Sequence, residues 1–145
     1  MAWQILTTHT RNIAIALSGG GIRAAIFHFG VLARLSEAEL WEQITHISTV
    51  SGGSLCAARL FAHAKLKWPS VDEFNKCLSE TYELVTTYDL QRAYVLNTLI
   101  KPWRLLHGRA YLIAKLLEKK WGISGCLTQL PSVPRWHICA TCFES

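Results

Sequence analysis

The stretch NIAIALSGGGIRAAIFHFGVLARLS, residues 12–36, decides the fold. Its first part, residues 12–18, is a short apolar run ahead of glycines, which predicts a buried strand. Three consecutive glycines, residues 19–21, then interrupt the chain. From Ile22 the apolar residues recur at helical spacing, which predicts a helix that ends near Ser36. The stretch therefore predicts a strand, a glycine turn and a helix, in that order.

The same order of elements is repeated in residues 44–68. The run ITHISTV, residues 44–50, is rich in β-branched side chains and predicts a second buried strand. Residues 51–53 turn the chain, and a helix is predicted from about Leu55 to near Trp68. A βαβα unit of this kind predicts a parallel sheet with a right-handed crossover. Because ligands of such sheets bind at the carboxyl ends of the strands, the two turns are expected to face one site.

Helices dominate the rest of the chain until a last strand. Three more helices are predicted, over residues 70–85, 89–100 and 109–121. Ser70 followed by Glu73 is the pattern of a capping box. Residues 136–141 predict a third strand, after which four residues remain. The expected fold class is α/β with a parallel sheet that is incomplete at the C-terminus.

Composition places the chain among folded globular domains. The 145 residues are 50% hydrophobic and 17% charged, which excludes a disordered tail and a collagen-like repeat. The net charge is +5, but the basic residues are scattered, so no nucleic-acid partner is expected. No segment has the pattern of a secretory signal or a transmembrane segment. A cytoplasmic protein is therefore expected, and five Cys, an odd number, fit free thiols better than a disulfide framework. Neither a metal nor a cofactor is expected.

The first turn has the composition of an anion-binding site. Three glycines after a strand permit positive φ and close approach of a ligand, and their amides precede a helix N-terminus. The pattern Gly19-x-Gly21-x-x-Ala24 also fits the fingerprint of a dinucleotide-binding domain. That alternative expects an acidic residue at the end of the second strand, where this chain has Val50 and Ser51.

The second turn has the layout of a nucleophile elbow, which is usually written G-x-S-x-G. Ser51 follows a predicted strand, and Gly52 comes directly after it, ahead of a predicted helix. A sharp turn pushes such a hydroxyl out of the sheet, and the helix behind it stabilises developing negative charge. Thr49 stands in place of the first glycine, so the match is partial. A serine that only caps the helix is the alternative.

Together, the two turns resemble the patatin-like phospholipase family and its cytosolic phospholipase relatives. The residues that carry the resemblance are SGGGIRA at 18–24 and STVSGGS at 48–54, and a looser similarity includes 134–141. The resemblance implies a three-layer patatin-like fold, of which residues 1–145 would form the N-terminal portion of a single domain. It also implies hydrolysis of lipid acyl esters by a Ser–Asp dyad without a metal. The substrate would be a lipid ester at a membrane surface, which the protein would reach as a peripheral protein.

The resemblance implies a role for each matching residue. Ser51 would be the nucleophile, and the amides of Gly20 and Gly21 would hold the tetrahedral oxyanion. Arg23 would support the glycine loop or bind a phosphate. The remaining matching residues would support the loop and the elbow: Gly19, Thr49, Gly52 and Gly53.

One part of the family pattern is missing from this sequence. The family's catalytic Asp lies in a later Asp-Gly-Gly or Asp-Gly-Ala motif, and the aspartates present here, Asp72 and Asp89, are not followed by glycine. We therefore expect a chain that is inactive alone, with a missing C-terminal portion as its partner. One alternative is a non-catalytic module that binds lipid or a partner. Another is a Ser–Asp–His triad that would use one of three histidines: His63, His107 or His137.

Overall fold

The apolar and β-branched runs of the sequence form a parallel sheet. The structure, a computed structural model, describes residues 12–87 and 109–141. The helix predicted over residues 89–100 lies outside this part, as do Asp89 and His107. The three strands of the sheet are β1 (Ile13–Leu17), β2 (Ile44–Val50) and β3 (Arg135–Cys139). Both pairings are parallel and β2 is central, which confirms the predicted α/β class.

The strand register brings both turns to one edge of the sheet. Thr49 of β2 pairs with Leu17 of β1 on one side and with Ile138 of β3 on the other. The glycine loop starts shortly after Leu17, and Ser51 is the second residue after Thr49. The loop and the elbow therefore leave the sheet at the carboxyl ends of neighbouring strands, where ligands of parallel sheets bind.

Each of the first two helices begins directly at a glycine. Helix α1 is Gly21–Glu37, and helix α2 is Gly52–His63. The sequence predicts that these helices begin further along the chain, at Ile22 and near Leu55, because glycine has a low helix propensity. The glycines at the start of α2 have a tertiary cause, since the backbones of the two turns are in contact and leave no room for side chains there.

The predicted end of α2 near Trp68 is wrong, because the helix ends at His63. Lys65 and Leu66 adopt left-handed φ angles of 54° and 64°. The Leu66 amide donates to the carbonyl oxygen of Phe61 (2.7 Å), which is the longer closing bond of a Schellman-type helix end. Glycine usually marks such an end, and none stands here, so the sequence carries no signal for it.

The other two described helices match their predictions. In α3 (Val71–Thr87) the Glu73 amide donates to Ser70 Oγ (3.3 Å), and the Ser70 amide donates to the Glu73 carboxylate (2.9 Å). This reciprocal pair is the predicted capping box. Helix α4 (Arg109–Trp121) ends before Gly122, whose φ of 62° only glycine adopts without strain.

The helices pack on one face of the sheet and on each other. The core cluster includes Leu17, Ala25, Phe29, Leu32, Trp41, Ile47, Leu60 and Phe74. Arg59 of α2 joins the helices, because its guanidinium donates to the Trp121 carbonyl (2.7 Å) and to the Glu80 carboxylate (3.2 Å). A cation at the C-terminus of α4 also complements the negative end of its dipole.

The opposite face of the sheet is open in the described part of the chain. Its exposed side chains are Ala14, Ala16, His46, Val50, Arg135, His137 and Cys139. Parallel sheets normally have both faces covered. Residues 12–87 and 109–141 therefore form two of the three layers that the resemblance implies.

Candidate active site

The glycine loop connects β1 to α1 through backbone that other residues disfavour. Gly20 has a φ of 136° and Gly21 a φ of 66°. Within the described residues no side chain caps α1, and its first turn contains no acidic residue. The first amides of a helix have no intrahelical acceptor. The loop and the helix N-terminus therefore offer N–H donors and a positive dipole end to an anion.

Arg23 adds a positive charge beside these amides. It lies in the first turn of α1 and is exposed. Its guanidinium forms no ion pair with a carboxylate of residues 12–87 or 109–141. The side chain is thus available to an anionic group at this edge of the sheet.

Ser51 makes the turn between β2 and α2 in a strained conformation. Its φ is 50° and its ψ is −112°, a region that costs a residue with a side chain about 1–3 kcal/mol. The residue is exposed, and its hydroxyl makes no capping bond to α2. The structure therefore contradicts the alternative in which Ser51 only caps the helix. A strained turn with a free hydroxyl is typical of a nucleophile elbow.

The glycine loop and the elbow are in direct backbone contact. The Gly53 amide donates to the carbonyl oxygen of Ser18 (3.1 Å). A Cβ added at Gly52 would collide with the carbonyl oxygen of Gly21 and would lie 2.9 Å from its nitrogen. Only glycine at position 52 permits this approach. Position 52 thus requires glycine because the glycine loop, which follows the neighbouring strand β1, lies against it.

Ser51 itself lies beside the loop. A Cβ added at Gly19 would be 3.3 Å from the Cβ of Ser51. The loop therefore passes next to the residue that carries the free hydroxyl. The structure brings together the residues that the sequence singled out in the two turns: Gly19, Gly20, Gly21, Ser51, Gly52 and Gly53.

The Thr49 hydroxyl makes two contacts between elements next to the second turn. The residue is buried, and its Oγ1 accepts a hydrogen bond from Trp136 Nε1 (2.8 Å). The same oxygen is 2.9 Å from Ser54 Oγ in the first turn of α2. Thr49 thus links β3 to α2 two residues before Ser51. A glycine, which the elbow motif expects at this position, could not make these bonds.

The histidines of the triad alternative have other partners. His63 Nε2 is 3.2 Å from the Glu80 carboxylate, which also binds Arg59. His137 stacks on His46 with ring centroids 5.9 Å apart, on the open face of the sheet. His107 lies outside the described residues. Of the two aspartates, Asp72 is exposed in the first turn of α3, and Asp89 is not described.

Sequence reasoning missed two side chains beside these turns. His28 is buried on α1, and its Nε2 is 2.9 Å from the Ser18 carbonyl oxygen. Trp136 reaches Thr49 from β3. A signal existed for His28, because it falls on the same helix face as Phe29 and Leu32, where a polar ring needs a partner.

An open groove lies along β3 and not at the elbow. Its volume is about 330 Å³. Its lining includes Leu127, Leu130, Pro131, Arg135, Trp136 and Ile138. Neither Ser51 nor the glycine loop belongs to this lining.

The described cysteines are free thiols in contrasting surroundings. Cys56 and Cys77 are buried, and burial raises the pKa of both thiols. Cys126 is exposed, and the hydrogen bond from the Thr128 hydroxyl lowers the pKa of its thiol. Among residues 12–87 and 109–141, no three His, Cys, Asp or Glu side chains form a group that could hold a metal ion.

We expect alkylation to separate these thiols. Iodoacetamide reacts with the thiolate, so Cys126 should be modified first, at a rate that rises with pH through its lowered pKa. Cys56 and Cys77 should react only after denaturation. Peptide mass mapping of the native chain measures this order. Equal rates for Cys56 and Cys126 would contradict the packing of α2 against α3.

None of the helices in the described part of the chain combines the length and the apolar content that a membrane crossing requires.

Comparison with known families agrees with the two turns. The family model described as Patatin-like phospholipase matches residues 15–119, which include the glycine loop and the elbow and make up well over half of the chain. A search of curated proteins and a search of solved structures returned no match. The resemblance predicted from the sequence is confirmed, and the chain belongs to the patatin-like phospholipase family.

Proposed function

We propose that the chain carries the nucleophile and the oxyanion loop of a lipid acyl hydrolase. The observation that supports this most strongly is the contact between the glycine loop and Ser51, a strained, exposed serine whose hydroxyl does not cap its helix. Ser51 is the nucleophile in this proposal. The amides of Gly20 and Gly21 are the oxyanion donors, and Arg23 supports the loop or binds a substrate phosphate.

The reaction follows from this arrangement. Ser51 Oγ attacks the carbonyl carbon of a lipid ester while its proton passes to a base. The carbonyl oxygen becomes an oxyanion, which accepts hydrogen bonds from the loop amides and is further stabilised by the N-terminus of α1. The C–O bond to the alcohol then breaks, and the alcohol leaves with a proton. Water hydrolyses the acyl-serine and regenerates the hydroxyl.

The base is the part that these 145 residues do not supply in the family's form, because no Asp-Gly-Gly or Asp-Gly-Ala occurs in them. We propose that residues 1–145 are the N-terminal portion of a single domain whose later portion brings the aspartate. Without it, Ser51 is a weak nucleophile at neutral pH. The substrate in this proposal is a lipid ester at a membrane surface, and the protein acts there from the cytoplasm.

The missing aspartate motif also favours a second candidate function. In that case the chain binds lipid or a partner protein without turnover. Binding of a dinucleotide is less well supported, since β2 ends at Val50 and is followed by Ser51, and not by the acidic residue that would bind a ribose hydroxyl.

A fluorophosphonate with a long alkyl chain tests the proposal. Ser51 Oγ attacks phosphorus, fluoride leaves, and the serine proton needs an acceptor. We expect slow labelling of the chain in neutral buffer. Labelling should speed up in proportion to added acetate, which replaces the absent carboxylate. Intact-protein mass spectrometry gives the labelled fraction.

Two variants serve as controls for this experiment. Ser51→Ala should remove the labelling, whereas Ser79→Ala should leave it unchanged, because Ser79 is an exposed serine on α3 that bonds to its own helix. Fast labelling of Ser51 without acetate would show that a base is already present. No labelling at any acetate concentration would favour the non-catalytic candidate.

A further inference from the structure

His28 joins α1 to the point where the glycine loop meets the elbow. It lies two turns into α1, and only 4% of its surface is exposed. Its Nε2 is 2.9 Å from the carbonyl oxygen of Ser18. The same oxygen accepts the amide of Gly53 at 3.1 Å. The Ser18 carbonyl thus accepts hydrogen bonds from a side chain of α1 and from a backbone amide of α2.

The chemistry of the contact fixes the role of the imidazole. A carbonyl oxygen only accepts hydrogen bonds, so Nε2 of His28 must carry the proton. The hydroxyl of Ser18 is 3.5 Å from the same nitrogen, which is too far for a strong bond. His28 therefore acts on the backbone of the loop and not on a side chain.

Fixing the Ser18 carbonyl also fixes the next amide. The peptide between Ser18 and Gly19 is trans and planar, so its N–H points opposite to its C=O. Two donors hold the oxygen toward the helices, and the N–H of Gly19 is therefore turned the other way. Glycine residues follow on the C-terminal side, so the loop has little stiffness of its own to hold this orientation.

We propose that His28 is a positioning residue that orients the glycine loop for oxyanion binding by holding the Ser18 carbonyl. The proposal rests on the function proposed above, because it takes the loop amides as the oxyanion donors. His28 does not touch the substrate in this proposal. His28 acts on the loop by holding the Ser18–Gly19 peptide, and the amide of Gly53 is the second donor to the carbonyl oxygen of that peptide.

The test compares two substitutions that differ in one donor. His28→Gln retains an N–H at a similar distance from the helix, whereas His28→Leu fills the space without a donor. In His28→Leu the Ser18 carbonyl still accepts from Gly53, so we expect the variant to fold. Acetate-assisted labelling of Ser51 by the fluorophosphonate should fall about tenfold in His28→Leu, the loss that goes with one hydrogen bond. It should recover to within about threefold of the unmodified chain in His28→Gln.

A second measurement keeps the two proposals apart. Amide hydrogen exchange of Gly53, whose buried N–H donates to the Ser18 carbonyl, should be faster in His28→Leu and near normal in His28→Gln when followed by NMR. If Ser51 is never labelled, the proposed function fails, and the exchange rates alone decide on His28. Equal labelling and equal exchange in both variants would overturn the proposal. So would losses in both variants that merely follow their melting temperatures.

Discussion

Gly52→Ala should destabilise the chain by about 3 kcal/mol and stop the labelling of Ser51. An alanine is favoured over glycine in a helix by about 1 kcal/mol, so helix propensity alone predicts a more stable protein. The added Cβ, however, would collide with the carbonyl oxygen of Gly21 and lie 2.9 Å from its nitrogen. Both are backbone atoms, which cannot turn aside as a side chain could. The glycine loop must therefore move away from α2, and the steric cost outweighs the gain in propensity.

Gly30→Ala is the matched control for this prediction. Gly30 lies within α1 and is exposed, and a Cβ there would have no atom within 4 Å. Only helix propensity then acts, so this variant should be more stable by up to about 1 kcal/mol. Urea unfolding of both variants measures the difference. If Gly52→Ala proved as stable as Gly30→Ala, the contact between the loop and the elbow would be refuted.

The sequence predicts those parts of the fold whose cause is local. The run of β-branched residues places β2 at its observed bounds, Ile44–Val50, and the spacing of Ser70 and Glu73 predicts the capping box. The start of α2 lies against the backbone of the distant glycine loop, and its end is followed by two non-glycine residues in left-handed conformation, Lys65 and Leu66. No propensity scale indicates that Leu66 will adopt a φ of 64°.

The same distinction between local and distant causes applies to the candidate site. The residue types of the turns, three glycines and a serine before glycine, are visible in the sequence because a sharp turn demands them locally. The hydrogen bonds that hold the turns in place cannot be predicted from the sequence. His28 contacts Ser18 ten residues away, and Trp136 contacts Thr49 from 87 residues away. Thr49 counted against the elbow motif in the sequence. In the structure its hydroxyl is the acceptor that ties β3 to the elbow.

Gly20→Val should lower the rate of acetate-assisted labelling of Ser51 by about a hundredfold, the loss typical of one oxyanion donor. The φ of 136° at Gly20 is a conformation that side chains rarely adopt, and a Cβ there would lie 3.0 Å from the Cβ of Ala24. Valine must therefore rotate the backbone and turn its amide away. The phosphoryl oxygen of the probe occupies the place of the ester oxyanion, so the labelling rate reports the loss of that donor. In a longer chain that supplies the aspartate, kcat for lipid ester hydrolysis should fall by a similar factor.

The neighbouring glycine separates loss of the donor from general damage to the loop. Gly21 has a φ of 66°, which asparagine tolerates, and a Cβ there would have no atom within 4 Å. Gly21→Asn therefore keeps its amide in place, and its labelling rate should fall by less than about tenfold. We expect a much larger loss of labelling rate in Gly20→Val than in Gly21→Asn only if the direction of the backbone amide, and not the composition of the loop, determines this rate. An unchanged rate in a folded Gly20→Val would remove Gly20 from the site and leave the oxyanion to other donors at the start of α1.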